Sequence, residues 1–132
     1  MAVLFSGDPV EDDNPQSVVV DIPAGYRPVD AAPVGKGRAL VLLRRLDWGI
    51  PLGFETAIAE LDVDAPDDDG IVTARLLAEL GKTIPRDNYE GLTLTEDADG
   101  QHVWLISDDN FMSFQRTLLL KLRWQTREKA RE

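Results

Sequence analysis

The chain has 132 residues, of which 43% are hydrophobic, and its formal net charge is −10. This length suits one domain with a packed core, and the acidic balance disfavours nucleic acid as a partner, because phosphate binding needs a basic face. There is no Cys and a single His, which excludes disulfides, thiolate metal sites and multi-histidine metal clusters. No apolar run approaches the roughly 20 residues of a membrane span, so we expect no membrane partner. The first sixteen residues lack a basic segment and a long apolar segment, so we expect no signal peptide in this chain.

Short apolar or β-branched runs, bounded by Pro and Gly, predict strands along the first half of the chain. The run RALVLLRR at residues 38–45 is almost continuously apolar, which predicts a strand buried on both faces. Residues 55–63 alternate and place Ala57, Ala59 and Leu61 on one face. The other strands predicted here are residues 2–5, 17–22 and 26–34.

The second half opens with an acidic loop at 64–70, whose spacing does not match a calcium-binding loop. Residues 71–80 fit a helix by composition, with Gly81 as its C-cap, but they also alternate, and their strand-rich context favours a strand. The Asp99-Gly100 step predicts a tight hairpin between strands at 90–95 and 101–107. Residues 115–124 alternate again, and the inward positions are Leu118, Leu120, Leu122 and Trp124.

Two parts of the chain repeat one layout. Residues 38–48 align with 101–111, and 57–63 align with 118–124 with the same inward phase. This repeat predicts an all-β fold of β-propeller-type blades, which are four-stranded antiparallel sheets, with about two to three blades forming a partial ring. The alternative is an ordinary antiparallel sandwich or barrel with a chance repeat. The predicted segments are a partial blade at 1–25, blades at 26–87 and 88–124, and a tail at 125–132.

The stretch from Asn88 to Trp124 resembles the C-terminal part of the phytase-like proteins, the "esterase-like activity of phytase" family. The shared elements are NYEGL at residues 88–92, LISDDNF at 105–111 and QRT at 115–117. The resemblance implies a periplasmic or secreted β-propeller related to calcium-using phytases. Family members are much longer, and a closed ring needs at least about four blades. We therefore expect either a homo-oligomer or missing N-terminal blades.

Glu90 is the first candidate metal ligand, because it begins a predicted inner strand beside Gly91 and because calcium prefers several oxygen ligands. Asp30 occupies the matching place in the first copy of the repeat. Asp108, Asp109 and Asn110 end the neighbouring strand and are further candidates. The alternative for Glu90 is a carboxylate that accepts backbone N–H groups, and for the other three a turn capped by side-chain to backbone bonds.

Four arginines can recognise phosphate through bidentate hydrogen bonds, although pairing with acidic neighbours is the alternative. They are Arg27, Arg44, Arg45 and Arg116. His102 has no nucleophile pattern around it and is expected at the surface or an edge. The three tryptophans are expected to pack in the core or between blades.

The function that these features indicate is a phytase-like or esterase-like domain that hydrolyses phosphate or other small-molecule esters with calcium. It would be a phosphoric or carboxylic ester hydrolase in which the metal polarises the ester and activates water. The alternative is a non-catalytic propeller fragment that acts as a binding or assembly module. Solution mass and calcium binding distinguish the two.

Overall fold

The computed structural model describes residues 1–5, 7–11, 14–109 and 116–125, and these residues form strands and no helix. No helix of the described chain is long and apolar enough to cross a membrane. The fold is therefore all-β, as predicted. The strands are β1 (Ala2–Leu4), β2 (Gln16–Asp21), β3 (Arg27–Gly35), β4 (Arg38–Asp47), β5 (Gly53–Asp62), β6 (Ile71–Thr73), β7 (Arg75–Glu79), β8 (Tyr89–Asp97), β9 (Gly100–Ser107) and β10 (Leu119–Arg123).

The strands form three mostly antiparallel sheets. The first sheet has the order β1-β2-β6, the second β3-β4-β5-β7 and the third β10-β9-β8. Among the strands of the described residues, only β2 and β6 pair in parallel. The two copies of the predicted repeat each form an antiparallel meander, β3-β4-β5 and β8-β9-β10. Residues 110 and 111, which close the aligned segment of the second copy, lie outside the described residues.

Tight turns join both hairpins, and the one between β8 and β9 is the turn that the Asp99-Gly100 step predicted. Gly37 has φ 69° in the connection between β3 and β4, and Gly100 has φ 111° where β9 begins. Such positive φ values favour glycine, because it has no Cβ. A Cβ on Gly37 would also lie only 2.1 Å from Oδ2 of Asp64. These two glycines thus set the register in which each pair of strands meets.

The second sheet, called the middle sheet below, is buried on both faces of β4, as the continuous apolar run predicted. Leu40 and Leu42 of β4 belong to a core cluster shared with Leu92 and Leu105 of the third sheet. The alternate residues of β4, such as Leu43, belong to a second cluster on the opposite face. Each fully buried Leu contributes roughly 1.5–3 kcal/mol relative to an exposed one. The second sheet is therefore fixed from both sides.

Three expectations need correction. Residues 71–80 are extended, as the strand-rich context favoured, but they form two strands rather than one. β6 joins the first sheet and β7 the second. Ala74 lies between them and donates its N–H to the Asp21 carbonyl at 2.8 Å. Trp48 is 81% exposed and is not a core residue, because the β4–β5 ladder ends at Asp47 and leaves it in the loop beyond. His102 is only 5% exposed and is not a surface residue, because β9 lies between β8 and β10.

Candidate functional site

The candidate site lies where β8 begins, and a β-bulge shapes it. Tyr89 pairs with Ser107 and Gly91 with Ile106, so Glu90 is an extra residue in the ladder. A bulge bends the strand and redirects side chains. Here it leaves Tyr89 buried while Glu90 is exposed to solvent. Gly91 is required in this geometry, because a Cβ there would lie 2.6 Å from Cγ2 of Ile106.

Glu90 is held by two side chains. Nδ2 of Asn88 donates to Oε1 of Glu90 at 2.7 Å, and Nη1 of Arg44 donates to the same oxygen at 3.1 Å. Arg44 also donates to Oδ1 of Asn88, and its guanidinium lies 4.8 Å from the centre of the Phe54 ring. Oε2 of Glu90 accepts no hydrogen bond from another described residue. The result is an oriented carboxylate with one oxygen fixed and the other facing solvent.

The side chains around this group keep Asn88 in place. Asn88 is only 2% exposed, and its carbonyl accepts the N–H of Asp108 at 3.0 Å. Tyr89 follows it, and its hydroxyl donates to the Pro85 carbonyl at 2.8 Å. Burial raises the pKa of Tyr89, with a further rise from the Asp87 charge. Tyr89 therefore stays a neutral donor that fixes the segment before β8.

The end of β9 supplies further predicted site residues. The Asp108 backbone bond to Asn88 places Asp108 beside the start of β8, and Asp108 and Asp109 both have interaction partners. Nε of Arg116 lies 3.8 Å from Oδ2 of Asp87, the residue before Asn88. The remaining predicted ligand, Asn110, lies outside the described residues. The structure thus brings Glu90, Arg44, Asp108 and Arg116 to one end of the second and third sheets.

Arg27 lies next to Arg44 on the neighbouring strand. The two residues are direct partners across β3 and β4, so their side chains share one face of the sheet. Arg27 is exposed and makes no ion pair or side-chain hydrogen bond with another residue of the described ranges. Two like charges directly opposite are unfavourable on their own, so an anion between them would relieve their repulsion.

Arg45 does not join this group. It follows Arg44 in the strand, so its side chain points to the opposite face, where Nε donates to Oε2 of Glu55 at 2.8 Å. Its guanidinium also lies 4.6 Å from the centre of the Tyr26 ring. The hydrogen bond to Glu55 raises the pKa of Arg45. In this structure Arg45 is a partner of acidic and aromatic neighbours.

Asp30 lies beside the site, but both of its oxygens are in use. Oδ2 accepts the N–H of Leu92 at 2.7 Å, and Oδ1 accepts the N–H of Ala31 at 2.9 Å. This carboxylate connects β3 of the second sheet to β8 of the third. Asp30 thus has the role that the sequence analysis considered as the alternative for Glu90: its carboxylate accepts backbone N–H groups.

Most of the described carboxylate oxygens at this end are already engaged. Calcium takes about 6–8 oxygen ligands. Each oxygen of Asp30 accepts a backbone N–H, and Oε1 of Glu90 is shared with Asn88 and a cationic guanidinium. Among residues 1–5, 7–11, 14–109 and 116–125, no group of three or more His, Cys, Asp or Glu residues could hold a metal ion. Calcium binding therefore stays a prediction.

Sequence reasoning did not single out Asn88 and Phe54 as site residues. Asn88 carries a local signal, because residues two apart in an extended chain point to the same side, and Glu90 lies two positions on. Phe54 carries no such signal. It reaches Arg44 because Leu46 pairs with Phe54 across β4 and β5, which brings the two strands into register.

The comparison with known families is consistent with the sequence motifs. The sequence model of the family described as Phytase-like, esterase-like activity of phytase, matches residues 2–111. This range includes β1 to β9 and the Arg44–Asn88–Glu90 group. No curated protein and no solved structure matches the chain.

Proposed function

The chain belongs to the Phytase-like family, and from this premise we propose that it hydrolyses a small anionic ester at the Arg44–Asn88–Glu90 group. The observation that carries the proposal is the geometry of Glu90. One of its oxygens is fixed by Asn88 and Arg44, the other accepts no hydrogen bond from a described residue, and Arg27 lies opposite Arg44 across β3 and β4. Positioned charges of this kind stabilise the transition state of ester hydrolysis.

The arginines provide the binding part of the proposal. Arg44 uses only Nη1 for its hydrogen bonds to Asn88 and Glu90, so Nε and Nη2 have no partner within the described residues. Arg27 lies on the same face and is unpaired in that part of the chain. Guanidinium groups bind phosphate and carboxylate oxygens in pairs of parallel hydrogen bonds. A phosphate ester, or a carboxylic ester that carries a separate carboxylate, would lie next to Glu90 when Arg27 and Arg44 hold its negative charge.

Glu90 provides the reactive part. Its Oε2 accepts a hydrogen bond from water and orients the water oxygen towards the bound ester. As the water attacks, Glu90 takes up its proton, and the guanidinium groups balance the charge that develops on the ester oxygens. The proton then passes to the departing alcohol. No step of this scheme runs through calcium, whose binding is measured separately.

The test is hydrolysis by the full chain of p-nitrophenyl phosphate, which carries the negative charge that the arginines would bind, and of p-nitrophenyl acetate, a neutral ester with the same leaving group, each with and without added calcium. Glu90→Gln keeps the hydrogen bond to Asn88 but cannot accept the proton, so we expect kcat to fall about 100-fold. Glu96→Gln removes the same charge from an exposed position on the same strand and should leave kcat unchanged. Equal rates for wild type and Glu90→Gln would refute the catalytic role.

We also propose that the three sheets are consecutive propeller-type blades and that the chain needs a partner to complete the ring. Two features support this. First, the second sheet is covered on both faces. Second, β5 pairs with a further strand, β7, whereas β10, which corresponds to β5 in the repeat, is an edge strand within the described residues. An exposed edge strand is a pairing site for another strand.

A non-catalytic assembly module is the second candidate function, and the free edge of β10 favours it. Light scattering after size exclusion distinguishes the two. A dimer or larger assembly that hydrolyses neither ester would support the assembly module. A monomer that hydrolyses an ester and loses this activity with Glu90→Gln would support the catalytic proposal and argue against the need for a partner.

A further inference from the structure

A cavity of about 850 Å³ lies between the second and third sheets. It is lined by Arg38, where β4 begins, and by Arg123, where β10 ends. Arg44 is six residues further along β4, which at about 3.3 Å per residue is roughly 20 Å away. The cavity is therefore separate from the Arg44–Asn88–Glu90 group. Its size falls within the range of about 300–1,000 Å³ that ligand pockets occupy.

The charged lining of the cavity is positive. The charged side chains on the inward faces are those of Arg38, Arg75 and Glu60, whereas Arg123 borders the cavity but alternates with the inward Leu122, so its side chain points to the opposite face of β10. The chain as a whole carries a net charge of −10, so this is a local reversal of sign. A patch of one sign in a partly desolvated cleft concentrates ligands of the opposite sign. The cavity therefore favours an anion.

A buried carboxylate organises two of the arginines. Glu60 is 7% exposed and lies on the face of β5 that looks towards the third sheet, because it has the same phase as Ile58 of the first core cluster. Nε of Arg38 donates to its Oε1 at 2.7 Å, with a second bond from Nη2, and Arg75 donates to Oε2 through Nη2. Burial by itself raises the pKa of Glu60, but the hydrogen bonds and charges of the two arginines outweigh it, and the pKa is lowered.

This arrangement leaves donors free for a ligand. Nε and Nη1 of Arg75 and Nη1 of Arg38 have no partner in the described part of the chain. A buried ion pair need not serve stability alone, because apolar residues of similar volume often give the folded state equal or greater stability. Fixed guanidiniums with unused donors are what recognition of a carboxylate requires.

Apart from Gln125, the rest of the cavity wall is apolar. It is continuous with the first core cluster. An apolar ligand would therefore make van der Waals contacts with core side chains that otherwise border the cavity. Trp124 follows β10 and adds a large aromatic surface. The apolar lining includes Leu40, Ile58, Leu77, Val103, Leu122 and Trp124.

We propose that this cavity binds an anionic amphiphile, namely a monocarboxylate with an unbranched alkyl chain. Its carboxylate is held by the unused donors of Arg75 and Arg38, and its alkyl chain lies along the leucines between the sheets. The neutral form of such a ligand gains the apolar contacts but not the hydrogen bonds to the guanidiniums. Binding here does not depend on ester hydrolysis at Glu90.

The test is calorimetric titration of the full chain with sodium decanoate and with 1-decanol, which shares the alkyl chain but lacks the charge. We expect saturable binding of decanoate that is about tenfold tighter than that of 1-decanol, the contribution of charge-assisted hydrogen bonds at a partly exposed site. Arg75→Ala should weaken decanoate about tenfold and leave 1-decanol unchanged. Arg123→Ala removes a charge from the opposite face of β10 and should change neither ligand, and neither should Glu90→Gln.

Two further variants test the location of the ligand. Lys82→Ala removes one positive charge from an exposed residue outside the cavity and should leave decanoate affinity unchanged. Leu77→Trp fills the apolar wall and should abolish binding of both ligands. If circular dichroism shows that Leu77→Trp does not fold, the arginine variants decide. The proposal is overturned if decanoate does not bind saturably, if the ratio of decanoate to 1-decanol affinity is unchanged in Arg75→Ala, or if Lys82→Ala weakens decanoate as much as Arg75→Ala does.

Discussion

Replacing Asp30 with alanine tests whether a single carboxylate connects the second and third sheets. Its Oδ2 accepts the Leu92 N–H of β8 at 2.7 Å, and Leu92 itself is 7% exposed. Asp30→Ala removes the acceptor that this N–H uses among the described residues. A hydrogen bond to a charged group contributes about 1.5–3 kcal/mol to stability, and a buried N–H that loses its acceptor has no water to replace it. We expect Asp30→Ala to lower the free energy of unfolding by about 2 kcal/mol.

Two matched variants make the measurement specific. Asp30→Asn keeps one carbonyl oxygen for Leu92 but loses the charge, so it should cost about 1 kcal/mol. Asp21→Ala removes an exposed aspartate that makes no side-chain hydrogen bond with another described residue, and it should stay within about 0.5 kcal/mol of wild type. The assay is urea unfolding followed by circular dichroism. For a chain of this length, 2 kcal/mol corresponds to roughly 8 °C in Tm.

The same variants bear on the predicted calcium site. A ligand that binds only the folded state raises Tm, so added calcium reports binding directly. If Asp30 serves the backbone, Asp30→Asn should respond to calcium as wild type does. The reasoning is refuted if Asp30→Ala is as stable as Asp21→Ala. A calcium-dependent rise in Tm that disappears in Asp30→Asn would instead identify Asp30 as a metal ligand.

Two other predictions concern the core and the buried charge. Leu43→Ala should lower the free energy of unfolding by about 3 kcal/mol in the same urea assay, because Leu43 is fully buried on the face of β4 opposite the cavity; a loss below 1 kcal/mol would contradict the packing described here. Glu60→Gln should cost about 1–2 kcal/mol at pH 7. Since the folded pKa of Glu60 is lowered, its contribution is complete above the ordinary glutamate value of about 4.3 and is lost as pH falls through the folded pKa. The stability difference between wild type and Glu60→Gln should therefore shrink below about pH 4, and a difference that grows there would contradict the assignment.

Much of the fold was predictable from local patterns. The alternation at residues 55–63 and the continuous apolar run at 38–45 predicted β5 and the doubly buried β4, because side chains of a strand alternate between faces. The Asp99-Gly100 step predicted the β8–β9 hairpin, because glycine accepts positive φ. Trp48 was misplaced because its exposure depends on where the β4–β5 ladder ends, which residue type does not reveal.

The candidate site was predictable only in part. Glu90 and Arg44 were both singled out, but their ion pair joins residues 46 positions apart and exists because the third sheet packs on the second. Arg38, Glu60 and Arg75 were not singled out, since each looks like an ordinary charged residue in its own strand. They meet because Arg75 pairs with Glu60 across β5 and β7, and because Arg38 begins the strand on the other side of β5.

The sequence by itself determined the strand positions, the tight turns and the two-sided burial of the middle sheet, because φ preferences and the period of two act between near neighbours. The tertiary structure alone decided which charges meet. It placed Glu90 against Arg44, tied Asp30 to the backbone of β8, and set Glu60 between two arginines beside a cavity. These contacts depend on how whole sheets pack and in which register, and burial then strengthens the few charge pairs that packing brings together.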